Sequence, residues 1–217
     1  LLVGFVSWLL SVLHIVPSVQ PTLWLMLLVM AGLSGRYVWT RRREFKEFVV
    51  RERKALIAIE AVFLIFFVGW AVFRSYDPAI DHTEQPMDFA FFNASIRSEF
   101  GQPQDPWMSG ESISYYYFGY WVMGSVSKLT GIASNISYNL AMALIPALAA
   151  VGIFGLVYNM VQARARRWVY GIVGAVGAVV LVGVAGNLEG VLEFMRLNGM
   201  GSQGFYDWVR VDGVDGP

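Results

Sequence analysis

Five apolar segments, each close to the length of a membrane-crossing helix, constrain this chain more than any other feature of its sequence. Charged residues make up only 15% of its 217 residues, whereas a soluble domain carries about 25%. The segments cover residues of about 1–17, 22–39, 55–73, 137–161 and 168–188, against about 20 residues needed for one crossing. We therefore predict an all-α polytopic membrane protein with one transmembrane domain of about five spans.

Composition excludes several classes of function. The formal net charge is +0, which gives no reason to expect nucleic acid or an acidic partner. The absence of cysteine excludes disulfides, thiolate metal sites and cysteine nucleophiles within this sequence. Because the chain begins at Leu1 inside an apolar run and stops at Pro217 in a polar one, we expect it to be part of a longer protein.

Basic residues predict which side of the membrane each loop occupies. Eight of the sixteen lysines and arginines lie in residues 36–54, and three more lie in 164–167. The positive-inside rule places both of these segments in the cytoplasm. The loop 74–136 and the tail 189–217 are thereby predicted to be external.

A sixth stretch, residues 113–129, is aromatic and apolar but carries three serines and a lysine. Two cytoplasmic loops can be joined only by an even number of crossings, and the spans 55–73 and 137–161 already supply two. We therefore predict that 113–129 lies along the outer membrane surface as an interfacial helix, or re-enters the membrane, rather than crossing it.

The predicted external loop carries seven acidic residues and two basic ones between Arg74 and Ile113. Its first helix is expected over about residues 86–98, because Gln85-Pro86 is typical of a helix start and apolar residues follow at helical spacing. Such an amphipathic helix suits the membrane interface. An acidic loop of this kind fits a site for protons, a metal ion or a hydroxyl substrate, and it also fits a merely solvated loop.

Two acids stand at the start of this helix. Asp88 falls in its first turn, and Glu84 lies just ahead of it. An acid in the first turn complements the helix dipole. The same carboxylate can take a proton from an acceptor hydroxyl or hold a divalent cation, and the spacing fits either interpretation.

The aromatic residues of the loop also have two interpretations. Trp107 follows a turn-rich break and is typical of an interfacial anchor. The run Tyr115-Tyr116-Tyr117 would give an aromatic wall with hydroxyl tips, suited to a sugar or an isoprenoid. A membrane-interface belt explains these tyrosines equally well.

With these motifs in view, the chain resembles the YYY-type membrane proteins of chloroflexi and archaea, a family of unknown function. The resemblance runs from about residue 55 to 210, and the much greater length of the members implies that this chain is an N-terminal part. The matching elements are Tyr76-Asp77-Pro78, Glu84 to Phe91, Asp105-Pro106-Trp107, Tyr115 to Tyr120, Lys128 to Gly131, Tyr138 to Ala141 and Gly186 to Gly190.

That family is similar to the GT-C glycosyltransferases, multi-span enzymes that take a sugar from a polyprenyl-phosphate donor. The resemblance implies transfer to an acceptor hydroxyl at the external face, with membrane lipid as partner. Asp88 or Glu84 would be the catalytic base or hold a divalent metal ion, with Asp77 in reserve. The residues expected to bind substrate are Arg74, Arg97, Asp105, Trp107, Tyr115, Tyr116, Tyr117, Asn187 and Glu189.

Two other classes of function are kept beside this one. A transporter or channel would use Glu60, an acid inside the third span and therefore a functional candidate, together with Glu189 and Glu193. A structural subunit of a larger membrane complex would use the loop aromatics as an interface.

Overall fold

The computed structural model describes residues 1–165, 167–186 and 188–209, apart from the side chains of residues 184, 185 and 189. The regular secondary structure of the described residues is helical, apart from one isolated β-bridge between Gln104 and Ser112. The helical elements are α1 (Leu2–Val12), α2 (Gln20–Thr40), α3 (Arg42–Tyr76), α4 (Gln85–Arg97), α5 (Phe118–Thr130), α6 (Ser134–Ala165), α7 (Trp168–Val180), a π-helical segment (Leu181–Ala185), α8 (Leu188–Leu197) and α9 (Gln203–Val209).

Three of the described helices, α2, α3 and α6, are long and apolar enough to cross a membrane. The 35 residues of α3 extend about 52 Å at 1.5 Å per residue, well beyond the ~30 Å hydrocarbon core. The all-helical membrane architecture is thus confirmed. The expected count of about five spans is not, because α1 and α7 are apolar but have only 11 and 13 residues.

Contacts divide the chain into two compact units. The first contains Leu1–Arg53 and Leu64–Ala147, and the second contains Lys54–Phe63 and the residues from Leu148 onward. Because α3 and α6 are long, each contributes residues to both units. The polar connection between α3 and α6, including α4 and α5, lies wholly within the first unit.

The core of the first unit forms where α4 packs along α5. Its buried aromatic side chains are Phe91 and Phe92 from α4, Trp121 from α5 and Tyr117 from the segment before α5. Gly124 allows the two helices to approach closely, since a Cβ there would lie 3.3 Å from the side chain of Ile96. Burial of these apolar surfaces is the main force holding α4 in place.

A polar cluster, the Lys128 junction (Lys128, Ser11, Ser18, Ser98 and Glu99), ties three segments of the first unit together, and Ser11 and Ser18 are its buried members. The Lys128 ammonium donates to the carbonyl oxygens of Ser18 at 2.6 Å and Ser98 at 2.7 Å. The carbonyl of Glu99 accepts hydrogen bonds from the Ser18 amide and the Ser11 hydroxyl. The junction therefore joins the α1–α2 turn, the end of α4 and α5.

The second unit brings α7 against the C-terminal half of α6. A Cβ at Gly171 of α7 would lie 2.9 Å from the ring of Tyr158 on α6, which in turn stacks on Phe154 with ring centroids 6.0 Å apart. The small residue therefore permits a contact that a larger one would prevent. This use of glycine is common where helices pack in membranes.

We predict that Gly171→Ala lowers the free energy of unfolding by about 1–3 kcal/mol, because the added methyl group overpacks against the Tyr158 ring. Gly177→Ala is the matched control on the same helix, since nothing lies within 4 Å of its added Cβ. Denaturant unfolding of both variants in detergent measures the difference. Equal effects of the two substitutions would contradict the packing described for α6 and α7.

The Lys128 side chain is half-buried. Burial lowers the pKa of Lys128 from its ordinary value of 10.5 to about 8, although the charge of Glu99 acts in the opposite direction. Between these two pH values the unfolded chain binds more protons than the folded one, so the Lys128 contribution to stability increases as pH rises. The neutral amine still has two N–H donors for the Ser18 and Ser98 carbonyls.

Lys128→Met should therefore lower the free energy of unfolding at pH 7 by about 1.5–3 kcal/mol, because it leaves buried carbonyls without a donor. The difference in free energy of unfolding between wild type and variant should increase from pH 8 toward pH 10.5. Thermal unfolding of both proteins across this range measures this difference. A difference that decreases with rising pH would contradict the lowered pKa of Lys128.

Candidate functional site

The two acids predicted from the sequence, Glu84 and Asp88, both lie at the start of α4. The chain enters this helix through Thr83, whose φ of 47° is rare for a β-branched residue. Glu84 then occupies the position just before the first turn, and Asp88 lies within that turn. Glu84 is exposed, whereas Asp88 is half-buried.

Asp88 faces α5, where the hydroxyl of Tyr120 donates a hydrogen bond to its Oδ1 atom. Burial raises the pKa of Tyr120 above its ordinary value of 10.0, and the hydrogen bond and negative charge of Asp88 raise it further. The phenol therefore stays protonated and acts as a donor at every physiological pH. The Oδ2 atom of Asp88 forms no hydrogen bond within the described part of the chain.

An aromatic wall lies beside this pair. The ring of Phe91 contacts Tyr115 and Tyr120, with centroids 5.6 and 6.0 Å away, and Trp107 meets it edge-on at 5.4 Å. Tyr115 stacks on Tyr116 at 3.9 Å. The Phe91 ring thus connects Trp107 and Tyr115 to Tyr120, the residue that binds Asp88.

The Tyr115 hydroxyl donates to that of Tyr116 at 2.5 Å. This hydrogen bond is the main cause that raises the pKa of Tyr115 to about 12, and the charges of Glu84 and Asp88 add to it. The contacts from Tyr115 through Phe91 to Tyr120, whose hydroxyl binds Asp88, join the wall and this acid in one site.

The third tyrosine of the run points into the core. Tyr117 is buried, and its hydroxyl accepts a hydrogen bond from Nε1 of Trp8 at 3.0 Å. The structure also differs from the predicted helix over 113–129, because α5 begins only at Phe118. Tyr115 and Tyr116 stack on each other before this helix begins, whereas the side chain of Tyr117 enters the core.

Arg74, at the end of α3, donates only to neutral oxygens. Its Nε atom donates to Oδ1 of Asn139 at 2.7 Å, and one terminal nitrogen donates to the carbonyl of Ala79 at 2.6 Å and Oε1 of Gln85 at 3.0 Å. The guanidinium is half-buried and forms no ion pair with any described residue. Its orientation is fixed while its charge stays uncompensated.

Arg97 and Asp105 lie away from Asp88. Together with residues such as Asn93 they line a groove of about 450 Å³ between α4 and the loop after it. Asp105 accepts hydrogen bonds from the amides of Trp107 and Met108 at 2.8 and 3.1 Å. The expected substrate-binding residues therefore divide between the Asp88 side of α4 and its opposite face.

The remaining candidates are spread over the chain. Asp77 is exposed and contacts Nε2 of His82 at 2.8 Å. In the described ranges no three histidine, aspartate or glutamate side chains come close enough to hold a metal ion, so Glu84 and Asp88 do not form a complete ligand set. Asn187 and the side chain of Glu189 lie outside the described residues, while Glu193 pairs with Arg196 at 3.2 Å.

Four residues of the site were not among the sequence candidates. Tyr120, Gln85, Asn139 and Tyr138 all take part in, or lie beside, the network that links Asp88 and Arg74. A signal for Tyr138-Asn139 was present, because polar residues at the start of a long apolar span need a reason to be there.

We predict that Asp88→Asn lowers the pKa of Tyr120 toward its ordinary value, because one negative charge beside the hydroxyl disappears. The pKa should stay above 10.0, since burial is the larger cause. NMR titration of ring-labelled tyrosines measures the change, with Tyr120→Phe identifying the signal. An unchanged pKa would show that Asp88 does not contact Tyr120 in solution.

Comparison with known families gives a match over most of the chain. A model for a family described as uncharacterized membrane protein (DUF2298) matches residues 2–211. No curated protein and no solved structure matches the chain. The match extends over both compact units.

Proposed function

Since the chain belongs to the DUF2298 family of uncharacterized membrane proteins, we propose that it is part of a GT-C-like glycosyltransferase. In this proposal a sugar moves from a polyprenyl-phosphate donor to an acceptor hydroxyl at the external face. The observation that carries the proposal is the Asp88 carboxylate, which Tyr120 orients beside an aromatic wall. Such walls suit the faces of sugar rings and isoprenoid chains.

The charge distribution supports an external site. Residues 36–54, which hold half of the sixteen lysines and arginines, include the N-terminal part of α3. By the positive-inside rule this end is cytoplasmic. A single crossing of α3 then carries the chain to the external side at Arg74, just before Asp88.

The proposed reaction is one displacement. The acceptor oxygen forms a bond to the anomeric carbon while the bond from that carbon to the phosphate oxygen breaks. Asp88 takes the acceptor proton on Oδ2, because Oδ1 already accepts the hydrogen bond from Tyr120. The polyprenyl phosphate leaves with the electron pair of the broken bond.

Arg74 supplies the positive charge for the leaving phosphate. Its hydrogen bonds to Asn139 and Gln85 fix the guanidinium before any ligand arrives. A fixed cation of this kind stabilises developing negative charge without reorganising. Because Glu84 and Asp88 lack a third described ligand, no step of the proposal passes through a metal ion held by this chain.

Asp88→Asn should reduce sugar transfer at least 100-fold, since general-base catalysis contributes about 10²–10⁴. The assay follows transfer or release of sugar from undecaprenyl-phosphate glucose and mannose by the full-length protein in detergent. Asp81→Asn is the matched control, because Asp81 is an exposed acid of the same loop whose one ion pair among the described residues is with His82, and it should retain activity.

Full transfer by Asp88→Asn would overturn the assignment of the base. Solute uptake that depends on Glu60 and is indifferent to Asp88 would instead favour a transporter. Constant co-purification with other subunits and no turnover of any lipid-linked sugar would favour a structural role.

A further inference from the structure

Tyr138, in the first turns of α6, has a buried hydroxyl without a hydrogen-bond partner. The residue is only 4% exposed. Its ring packs edge-on against Phe89 and Phe92, with centroids 5.5 and 6.0 Å away. Its hydroxyl oxygen meets no donor or acceptor among the described residues.

A buried hydroxyl without a partner destabilises a folded protein. Phenylalanine would keep the packing against Phe89 and Phe92 and remove this cost. Such a group therefore suggests a partner that binds from outside the chain. Ser95 and Trp121 also carry unpartnered buried atoms, but they belong to the packed contact of α4 with α5.

Opposite charges distinguish Tyr138 from these other residues. The negative charge of Asp88 and the positive charge of Arg74 both act on its hydroxyl, and neither side chain forms a hydrogen bond to it. Asn139, the next residue along α6, accepts the hydrogen bond from Nε of Arg74. The unpartnered hydroxyl therefore lies near a fixed cation that has no counter-ion among the described residues.

We propose that Tyr138 and Arg74 form a binding site for a phosphate group, with the Tyr138 hydroxyl donating to one phosphate oxygen and the guanidinium binding another. The inference rests on the proposed function in naming the donor phosphate as the natural ligand. The site has one charged donor and one neutral donor, which suits an oxyanion. Asp88 then faces the hydroxyl that accepts the sugar.

The test measures binding of n-dodecyl phosphate to the full-length protein in a non-ionic detergent. Tyr138→Phe should bind it about tenfold more weakly, the factor expected from one lost hydrogen bond of about 1.4 kcal/mol to a charged group. Its melting temperature without ligand should be equal to or higher than that of wild type. Tyr76→Phe, which removes the hydroxyl of a tyrosine that is 86% exposed at the end of α3, should change neither quantity.

Two further ligands identify the chemistry. Inorganic phosphate that competes with n-dodecyl phosphate would support a phosphate site that also accepts the free ion. Dodecanoate bound as tightly as n-dodecyl phosphate would overturn the assignment to phosphate. Arg74→Gln should weaken binding of n-dodecyl phosphate more than Tyr138→Phe does.

The inference fails if Tyr138→Phe binds n-dodecyl phosphate as wild type does, or if the variant melts at a lower temperature and loses binding through unfolding. Its failure is separable from that of the proposed function. If the protein transfers sugar but Tyr138→Phe binds n-dodecyl phosphate as wild type does, only the phosphate-site inference is wrong. If binding of n-dodecyl phosphate depends on Tyr138 but no sugar is transferred, the phosphate site stands and the glycosyltransferase proposal is wrong.

Discussion

The ammonium of Lys128 contacts carbonyl oxygens from two loops far apart in the sequence, and the first unit depends on it. Ser18 and Ser98 belong to the α1–α2 turn and the end of α4. Without this donor their carbonyls would be left unsatisfied next to buried serines, which is costly. The hydrophobic contact of α4 with α5 supplies most of the driving force, and the junction holds the end of α4 beside α5 and the α1–α2 turn.

The candidate site contains one carboxylate and one guanidinium, and each is hydrogen-bonded to neutral groups. Asp88 accepts a hydrogen bond from a neutral phenol, and Arg74 donates to neutral amide and carbonyl oxygens. Neither charge is cancelled by an ion pair within the described chain. Structural charges in partly buried positions are usually paired. Unpaired charges held by dipoles are more typical of a site that awaits a charged or polarised ligand.

Helix starts and long apolar helices could be predicted from the sequence, because they depend on residues that are close together in the chain. The proline after Gln85 predicted the start of α4, and the apolar runs predicted the long helices that became α2, α3 and α6. The position of Arg97 was also predictable. It lies nine positions after Asp88, and at about 100° per residue this spacing places the two on opposite faces of a helix.

Other features depend on contacts between distant residues and could not be predicted. Ser18 and Lys128 are 110 positions apart, and no pattern in the sequence pairs them. Tyr115 to Tyr117 precede α5 instead of lying within it, and their side chains are placed by contacts with distant residues such as Phe91 and Trp8. Aromatic composition alone fits a helix as well as a non-helical segment, so only tertiary structure decides between them.

In the proposed phosphate site, the three neutral oxygens around Arg74 would also affect which anion binds. They have replaced part of the water around the guanidinium during folding, so an arriving anion gives up mainly its own hydration. Weakly hydrated anions give it up most easily. A phosphodiester with one negative charge spread over two oxygens holds water less tightly than a small dianion. The same arrangement therefore favours an esterified phosphate over its free counterpart by hydration as well as by shape.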